Sequence, residues 1–292
     1  NTVYNKGGLK MKKTARFLKF LLVVVLFIIL PAVAFADTYV SGPITSDTTW
    51  TLANSPYIVT GGVIVMSGVT LTIEPGVTVK FNSGLALQID GTLIARGTNS
   101  SNIIFTSNAV TPAPGDWGYI YFNDSIIDAT YDENGNYTGG SILEYCVVEY
   151  GGGASIATEY NGAVRLYRAH PLINHCTIRD NKASGIRGWG LTGTLKVMNN
   201  TISGNTASGY EGGGIFAGSQ YYGGASSEPG TLIITGNIIS YNTASLFGGG
   251  IFAKVSKLTI SGNIINNNIS LGYYGGGIYY EQTTVNISNN II

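Results

Sequence analysis

The sequence predicts an all-β solenoid, a single parallel β-helix with three short strands per coil, and three observations carry that prediction. First, 41 of the 292 residues are glycine while only 16 are basic and 16 acidic. An ordinary helical domain holds about 7% glycine and about 25% charged residues, so the composition excludes one. Second, a frame L-x-I-x-x-N-x-I recurs from Leu195 to Ile202 with Val197 in the third place, from Leu232 to Ile239, from Leu258 to Ile265 and, with Val285 in the first place, to Ile292. Third, residues 69–105 alternate apolar and polar side chains over short runs broken by Pro75-Gly76 and Asp90-Gly91, which is the period of a strand facing a core on one side.

The amino-terminal 36 residues stand apart. Lys12, Lys13 and Arg16 precede the uncharged apolar run Phe20–Leu30, and Pro31 and Ala34-Phe35-Ala36 follow it. A basic segment, an apolar segment shorter than the ~20 residues of a spanning helix and a small-residue cleavage site make a bacterial-type signal peptide, residues 11–36. Residues 1–10 read as an upstream translated extension before Met11. The product is expected to be secreted or held at the cell surface, with no membrane span after cleavage. Without residues 1–36 the chain keeps 10 basic and 16 acidic groups, a net charge of −6 that argues against a nucleic-acid partner.

Residues 37–60 are expected to cap the solenoid and residues 61–292 to form it. In the amino-terminal coils Val69–Ile73, Val77–Phe81, Leu85–Ile89 and Ile103–Phe105 are the expected strands. Between Ala129 and Gly139 an Asn134-Gly135 dipeptide joins two polar arms and predicts a hairpin insertion; its acidic residues do not keep the spacing of a calcium loop. Farther on, Leu143–Val148 and Ile173–Ile178 share the repeat frame with Cys146 and Cys176 in the asparagine slot.

In the carboxyl half the slot is held by Asn200, Asn237, Asn263 and Asn290, and Asn205, Asn242 and Asn268 lie five residues beyond the first three. Gly-Gly-Gly-Ile elements ending at Ile215, Ile251 and Ile278 open the third strand of each unit. One unit cannot bury its own apolar face, so the units must stack, with Leu195/Val197 and their equivalents as inward ladders and the slot asparagines as an amide ladder. The chain stops at Ile292 inside a unit, and the solenoid is expected to continue beyond it. Cys146 and Cys176, 30 residues apart in one slot, are either stacked small hydrophobes or a disulfide; strand spacing of ~4.8 Å favours the former.

On these repeats the chain resembles the right-handed parallel β-helix proteins of the pectate-lyase-like superfamily over roughly residues 60–292. Leu71–Gly76, Gly91–Gly97, Ile104–Ser107 and Gly115–Gly118 look like the opening of secreted bacterial β-helix proteins. The Gly-Gly-Gly-Ile and I-x-x-N elements are similar to repeats of outer-membrane adhesins. The resemblance implies a fold that carries lyases, hydrolases, adhesins and stalks alike.

A lyase of this kind would hold calcium on carboxylates drawn from Asp116, Asp124, Asp128, Glu144, Glu149, Glu159 and Asp180, with a basic group beside them. Glu149 and Arg179 align in adjacent coils and read as a surface ion pair. The hydrolase motifs Asn-Thr-Asp, Asp-Asp, Gly-His-Gly and Arg-Ile-Lys, and the lyase signature Arg-x-Pro-x-x-Arg, do not occur. His170 and His175 lack the spacing of a zinc site, and His175 falls at a turn. No catalytic residue and no cofactor is assigned, calcium being required only under the lyase reading.

The candidate ligand-binding column lies one residue past the inward position of the third strand: Arg165, Arg187, Phe216, Phe252 and Tyr279, flanked by Trp189, Tyr221, Tyr222 and Tyr273. Outward aromatics beside arginines suit sugar rings and acidic sugars, or simply stack for stability beneath the loop from Gly218 to Gly230. The expected function is a monomeric scaffold that binds polysaccharide or cell-surface partners. The alternatives are a polysaccharide lyase or glycoside hydrolase and an adhesin-type structural stalk.

Overall fold

The computed structural model describes residues 36–153, 161–209, 212–218, 228–272, 274–281 and 284–292, together with Thr2. The expected signal peptide, Glu159, Tyr221, Tyr222 and Tyr273 lie outside them. The described chain is built of strands with one short 3-10 turn, Leu52–Asn54, and 24 of the strands join in a single sheet wound into coils.

Each coil contributes to three parallel stacks. The first runs through Thr70–Ile73, Thr92–Arg96, Ile142–Glu144, Leu172–Asn174, Thr194–Met198, Glu228–Thr235 and Thr284–Ser288, with the end of Ile251–Ser261 between the last two. The second runs through Thr78–Phe81, Ile103–Ser107, Cys146–Glu149, Thr177–Arg179, Thr201–Ser203, Ile238–Ser240 and Ile264–Asn266. The third runs through Leu87–Ile89, Ile120–Phe122, Gly162–Tyr167, Ser184–Trp189, Ile215–Gly218, the start of Ile251–Ser261, and Ile278–Tyr280.

Parallel pairing already begins at Thr38, inside the segment expected to cap. Thr38–Ile44 pairs with Tyr57–Val65 through a register shift between Val40 and Gly42, so this segment forms the first rung as well as the end of the stack. Gly42 takes a φ of 81° there. Pro43, next to it, has no N–H to offer on the outer edge, which blunts further strand addition.

The repeat frame translates directly into packing. Leu195, Leu232, Leu258 and Val285 are in register, as are Val197, Ile234, Ile260 and Ile287. The first three of each set are fully buried, because a period of two turns every second residue into the same closed interior. Between stacks the chain bends at left-handed residues. Tyr145, His175, Asn199, Gly236, Gly262 and Asn289 have φ of 49° to 69° and immediately precede the slot residue. Tyr150, Asp180, Gly204, Tyr241 and Asn267 do the same one strand later, with φ of 53° to 67°. His175 takes this conformation at the turn expected for it, and Tyr145, Tyr150 and Tyr241 take it although bulky side chains seldom do. Their strain is met by the bonds that follow.

Those bonds form two amide columns. The side-chain oxygen of Asn237 accepts the backbone N–H of Asn200 at 2.8 Å and its Nδ2 at 2.9 Å; Asn263 serves Asn237, and Asn290 serves Asn263, in the same way. A second column links Asn181, Asn205, Asn242 and Asn268 at 2.8 to 3.0 Å. Each Nδ2 also reaches a carbonyl of the preceding coil, as Asn237 does to Val197. The corners, where backbone groups leave the ladders, thereby find partners without water.

Cys146 and Cys176 occupy the first column above Asn200, buried and without a disulfide. The Cys176 N–H donates to Asn200 Oδ1 at 2.8 Å, while the Cys176 thiol reaches the Leu143 carbonyl at 3.3 Å. Burial pushes the Cys146 thiol well above its ordinary range.

The glycine triplets follow the same logic of backbone stacking. The first glycine of each, Gly212, Gly248 and Gly275, has φ of 60° to 66°. A Cβ on Gly213 would lie 2.5 Å from the carbonyl oxygen of Gly249 in the next coil. Only glycine lets these corners pile up.

Candidate functional site

The candidate column is one line in space. Gln88, Tyr121, Arg165, Arg187, Phe216, Phe252 and Tyr279 are paired in register on the outward side of the third stack. Most of it is covered. Arg165 is 7% exposed, Arg187 1%, Phe216 1% and Phe252 5%. The Arg187 guanidinium lies 3.8 Å above the Phe216 ring, and Phe216 stacks on Phe252 at 5.0 Å and 3°. Phe252, Phe247 and Tyr279 continue the pile at 5.7 and 4.9 Å. This is the cross-strand stacking arrangement, and it leaves Arg187, Phe216 and Phe252 no open face for a sugar ring.

Amino-terminal to it the column opens. Tyr119, Tyr121, Tyr167 and Trp189 are half-buried around Arg165, whose guanidinium sits 4.2, 5.2 and 5.4 Å from the rings of Tyr119, Tyr121 and Trp189. Tyr121 and Trp189 are nearly parallel, at 6.2 Å and 6°, and Tyr167 tilts 36° from Trp189 at 5.7 Å. Trp189 and Tyr167 are register partners, two residues along from the arginine pair.

In the coils above, Asp90 and Asn123 follow Gln88 and Tyr121 by the same two residues. Asp90 Oδ1 accepts Gln88 Nε2 at 2.9 Å and Asn123 Nδ2 at 3.1 Å, and the Tyr121 hydroxyl donates to Asn123 Oδ1 at 3.2 Å. Burial, opposed by Arg165, pushes the Tyr121 phenol up. At the strip's edge Arg168 faces Asp124 at 3.6 Å, both half-exposed. Sequence reasoning singled out Trp189 but missed Tyr121, Asn123 and Asp90. Gln88, Tyr121 and Arg165 are separated by unequal steps of 33 and 44 residues, so no constant spacing marks them in the sequence.

The carboxylates considered for chemistry are spread over separate structural bonds. Glu149 takes Arg179 at 2.6 Å and the Thr106 hydroxyl at 2.9 Å, in register across coils as an ion pair. Glu144 takes Arg96 at 2.8 Å and Asn174 at 2.9 Å. Asp116 accepts Ser107 Oγ at 2.7 Å and the Ala113 N–H beside an open depression of about 220 Å³. Asp180, at a left-handed corner, lies 4.0 Å from Arg179. Among the described residues no group of three or more His, Cys, Asp or Glu side chains converges on one point.

His170 is buried, with Nδ1 bonded to Asp128 at 2.7 Å and Nε2 accepting the Gly193 N–H at 2.9 Å. Both ring nitrogens are engaged in holding coils together, which leaves no lone pair for a substrate proton. His175 is at its turn and stacks on Tyr145 at 4.6 Å.

The insertion forms a hairpin, Thr130–Tyr131 against Tyr137–Gly139. Only Gly135 of the Asn-Gly pair has positive φ, and the Asp132 carbonyl accepts its N–H, so the loop closes through Asp132 instead of as a two-residue turn at Asn134-Gly135. The Asp132 carboxylate accepts the N–H groups of Asn134 and Asn136 and the Asn136 amide, and these bonds hold its carboxyl below the usual range. Lys196 lies 3.4 Å over the Tyr131 ring and Arg96 5.3 Å over Tyr137, which lays the hairpin on the outward face of the first stack. Ile142 and Leu172 face outward there yet are buried. Burial pushes the Tyr131 phenol up to about 12.

Residues 42–172 match the family model of the pectate-lyase like beta helix domain. A stretch of 70 residues is 41% identical to Protein bark beetle of Drosophila melanogaster, covering 24% of this chain and 2% of that protein. No solved structure matches. The parallel register of the coils and the closed aliphatic interior, with a pectate-lyase like β-helix domain matched over residues 42–172, make the described chain a right-handed parallel β-helix.

Proposed function

We propose that the chain is an exported, non-catalytic β-helix scaffold that displays a surface for binding polysaccharide or cell-surface glycans. The observation that carries this reading is how the polar side chains are used. Glu144, Glu149, Asp116 and the Asp128–His170 pair are spent on bonds within and between coils, whereas Tyr121, Tyr167 and Trp189 are only half-buried, in one outward strip. A rigid array of flat rings on a stacked sheet suits retention of an extended polymer and supplies no acid–base pair for cleaving it.

Export rests on the basic, apolar and A-x-A pattern of residues 11–36. Among the described residues no helix is long and apolar enough to cross a membrane. The test is a screen of the protein against acidic and neutral polysaccharides, with and without calcium, reading unsaturated-product absorbance, reducing ends and retention together. Retention without product is expected. Calcium-dependent absorbance or new reducing ends would overturn the non-catalytic reading.

A further inference from the structure

The strip has a chemistry more specific than glycan binding in general. Arg165 beneath the rings fixes Tyr121 and Trp189 in a near-parallel pair, so both faces are held in place before any ligand arrives. Beside them, Asn123 spends one Nδ2 hydrogen on Asp90, and Asp90 Oδ1 carries two of the three bonds made to that carboxylate. By valence Asn123 keeps a second Nδ2 hydrogen and Asp90 Oδ2 a further lone pair, on side chains that are bonded to each other. A donor and an acceptor side by side, next to flat rings, match a pair of neighbouring hydroxyls on a pyranose.

The charges select against an acidic sugar. A uronate at Asp90 and Asn123 would meet the carboxylates of Asp90 and Asp124; of the cations nearby, Arg165 is buried under the rings, and Arg168, which lies 5.4 Å over the Tyr167 ring, faces Asp124 at 3.6 Å. We propose that Asp90, Asn123, Tyr121, Tyr167 and Trp189 form a subsite for the uncharged pyranose units of a polysaccharide. The sugar packs against the outward parts of the rings, and vicinal hydroxyls bridge Asp90 and Asn123. This rests on the glycan-binding reading and moves the contact away from the buried Phe216 and Phe252.

The test uses the full chain in affinity electrophoresis through gels holding soluble β-glucan, mannan, xylan or polygalacturonate. It is run beside Trp189→Ala, Trp189→Phe, Asn123→Ala and, as a control on a distant exposed ring, Tyr39→Ala. Trp50 and Trp117 are buried, so Trp189 also reports directly by fluorescence. The expected result is retention on a neutral polymer, weakened about tenfold by Trp189→Ala or Asn123→Ala and largely kept by Trp189→Phe and Tyr39→Ala. The neutral polymer should also change tryptophan emission in the parent and not in Trp189→Phe. Circular dichroism establishes that each variant is folded. Retention on polygalacturonate alone, or neutral retention untouched by Trp189→Ala and Asn123→Ala, overturns the subsite and leaves the glycan reading standing. No retention on any polymer overturns both.

Discussion

Replacing Asn237 with alanine removes the middle of the first amide column. The lost carboxamide accepts Asn200 N–H at 2.8 Å and Asn200 Nδ2 at 2.9 Å, and donates to Val197 O at 2.9 Å and Asn263 Oδ1 at 2.9 Å. Asn200, Asn237 and Asn263 are each 1% exposed, so water cannot take over. The Asn200 N–H and the Val197 carbonyl lose these partners, at about 1–3 kcal/mol each, and a total of roughly 3–4 kcal/mol is expected. In a domain of this size that lowers the melting midpoint by about 6–16 °C.

Because coils couple mainly to their neighbours, the loss should also be local. Hydrogen exchange of the Asn200 amide should accelerate far more than that of amides near Leu71. The assay is thermal unfolding by circular dichroism with residue-level exchange, beside Asn286→Ala, a change on the exposed outward face. A midpoint shift no larger than that of Asn286→Ala, or an Asn200 amide as protected as before, would refute the column as a source of stability.

Other outcomes follow from the same geometry. Cys176→Asn should extend the column toward Cys146, its oxygen accepting the Cys146 N–H and its Nδ2 replacing the thiol at the Leu143 carbonyl, and raise stability by about 1 kcal/mol; a lower melting midpoint would contradict this. Arg179→Ala should cost no more than about 1 kcal/mol, since the arginine is half-exposed, and a denaturant titration giving more than twice that would show the pair to be more than a surface contact. Asp132 has a folded carboxyl held below its unfolded value, so its contribution to the hairpin is complete above the ordinary carboxylate range of about 4 and is lost as pH falls through the lower folded value. Amide shifts of Asn134 and Asn136 followed by NMR on acidification should report that loss, and Asp132→Asn should flatten the profile.

How much was legible depends on where each residue points. The slot asparagines, the aliphatic ladders and the glycine triplets could be read because each is repeated coil after coil, and a parallel stack brings equal positions into contact. The Glu149–Arg179 pair was legible for the same reason. The corner conformation of Tyr145 and Tyr150 was not, since nothing in a bulky side chain marks a left-handed backbone. Nor was the start of pairing at Thr38, where the register slips at Gly42 and the repeat frame is lost.

The sequence by itself determined the coil: its strand period, its inward residues, its corners and the order in which outward residues line up. Those follow from local alternation and from backbone rules that act within a few residues. Only the tertiary structure decided which outward residues meet solvent. Arg187, Phe216 and Trp189 carry the same outward signature, yet the first two are buried in a stacked pile and the third is only half-buried. Outward burial depends on neighbouring rings and on chain that returns from elsewhere, as the hairpin does over Arg96 and Lys196 on the first stack. That covering is a long-range packing choice, and no period in the sequence encodes it.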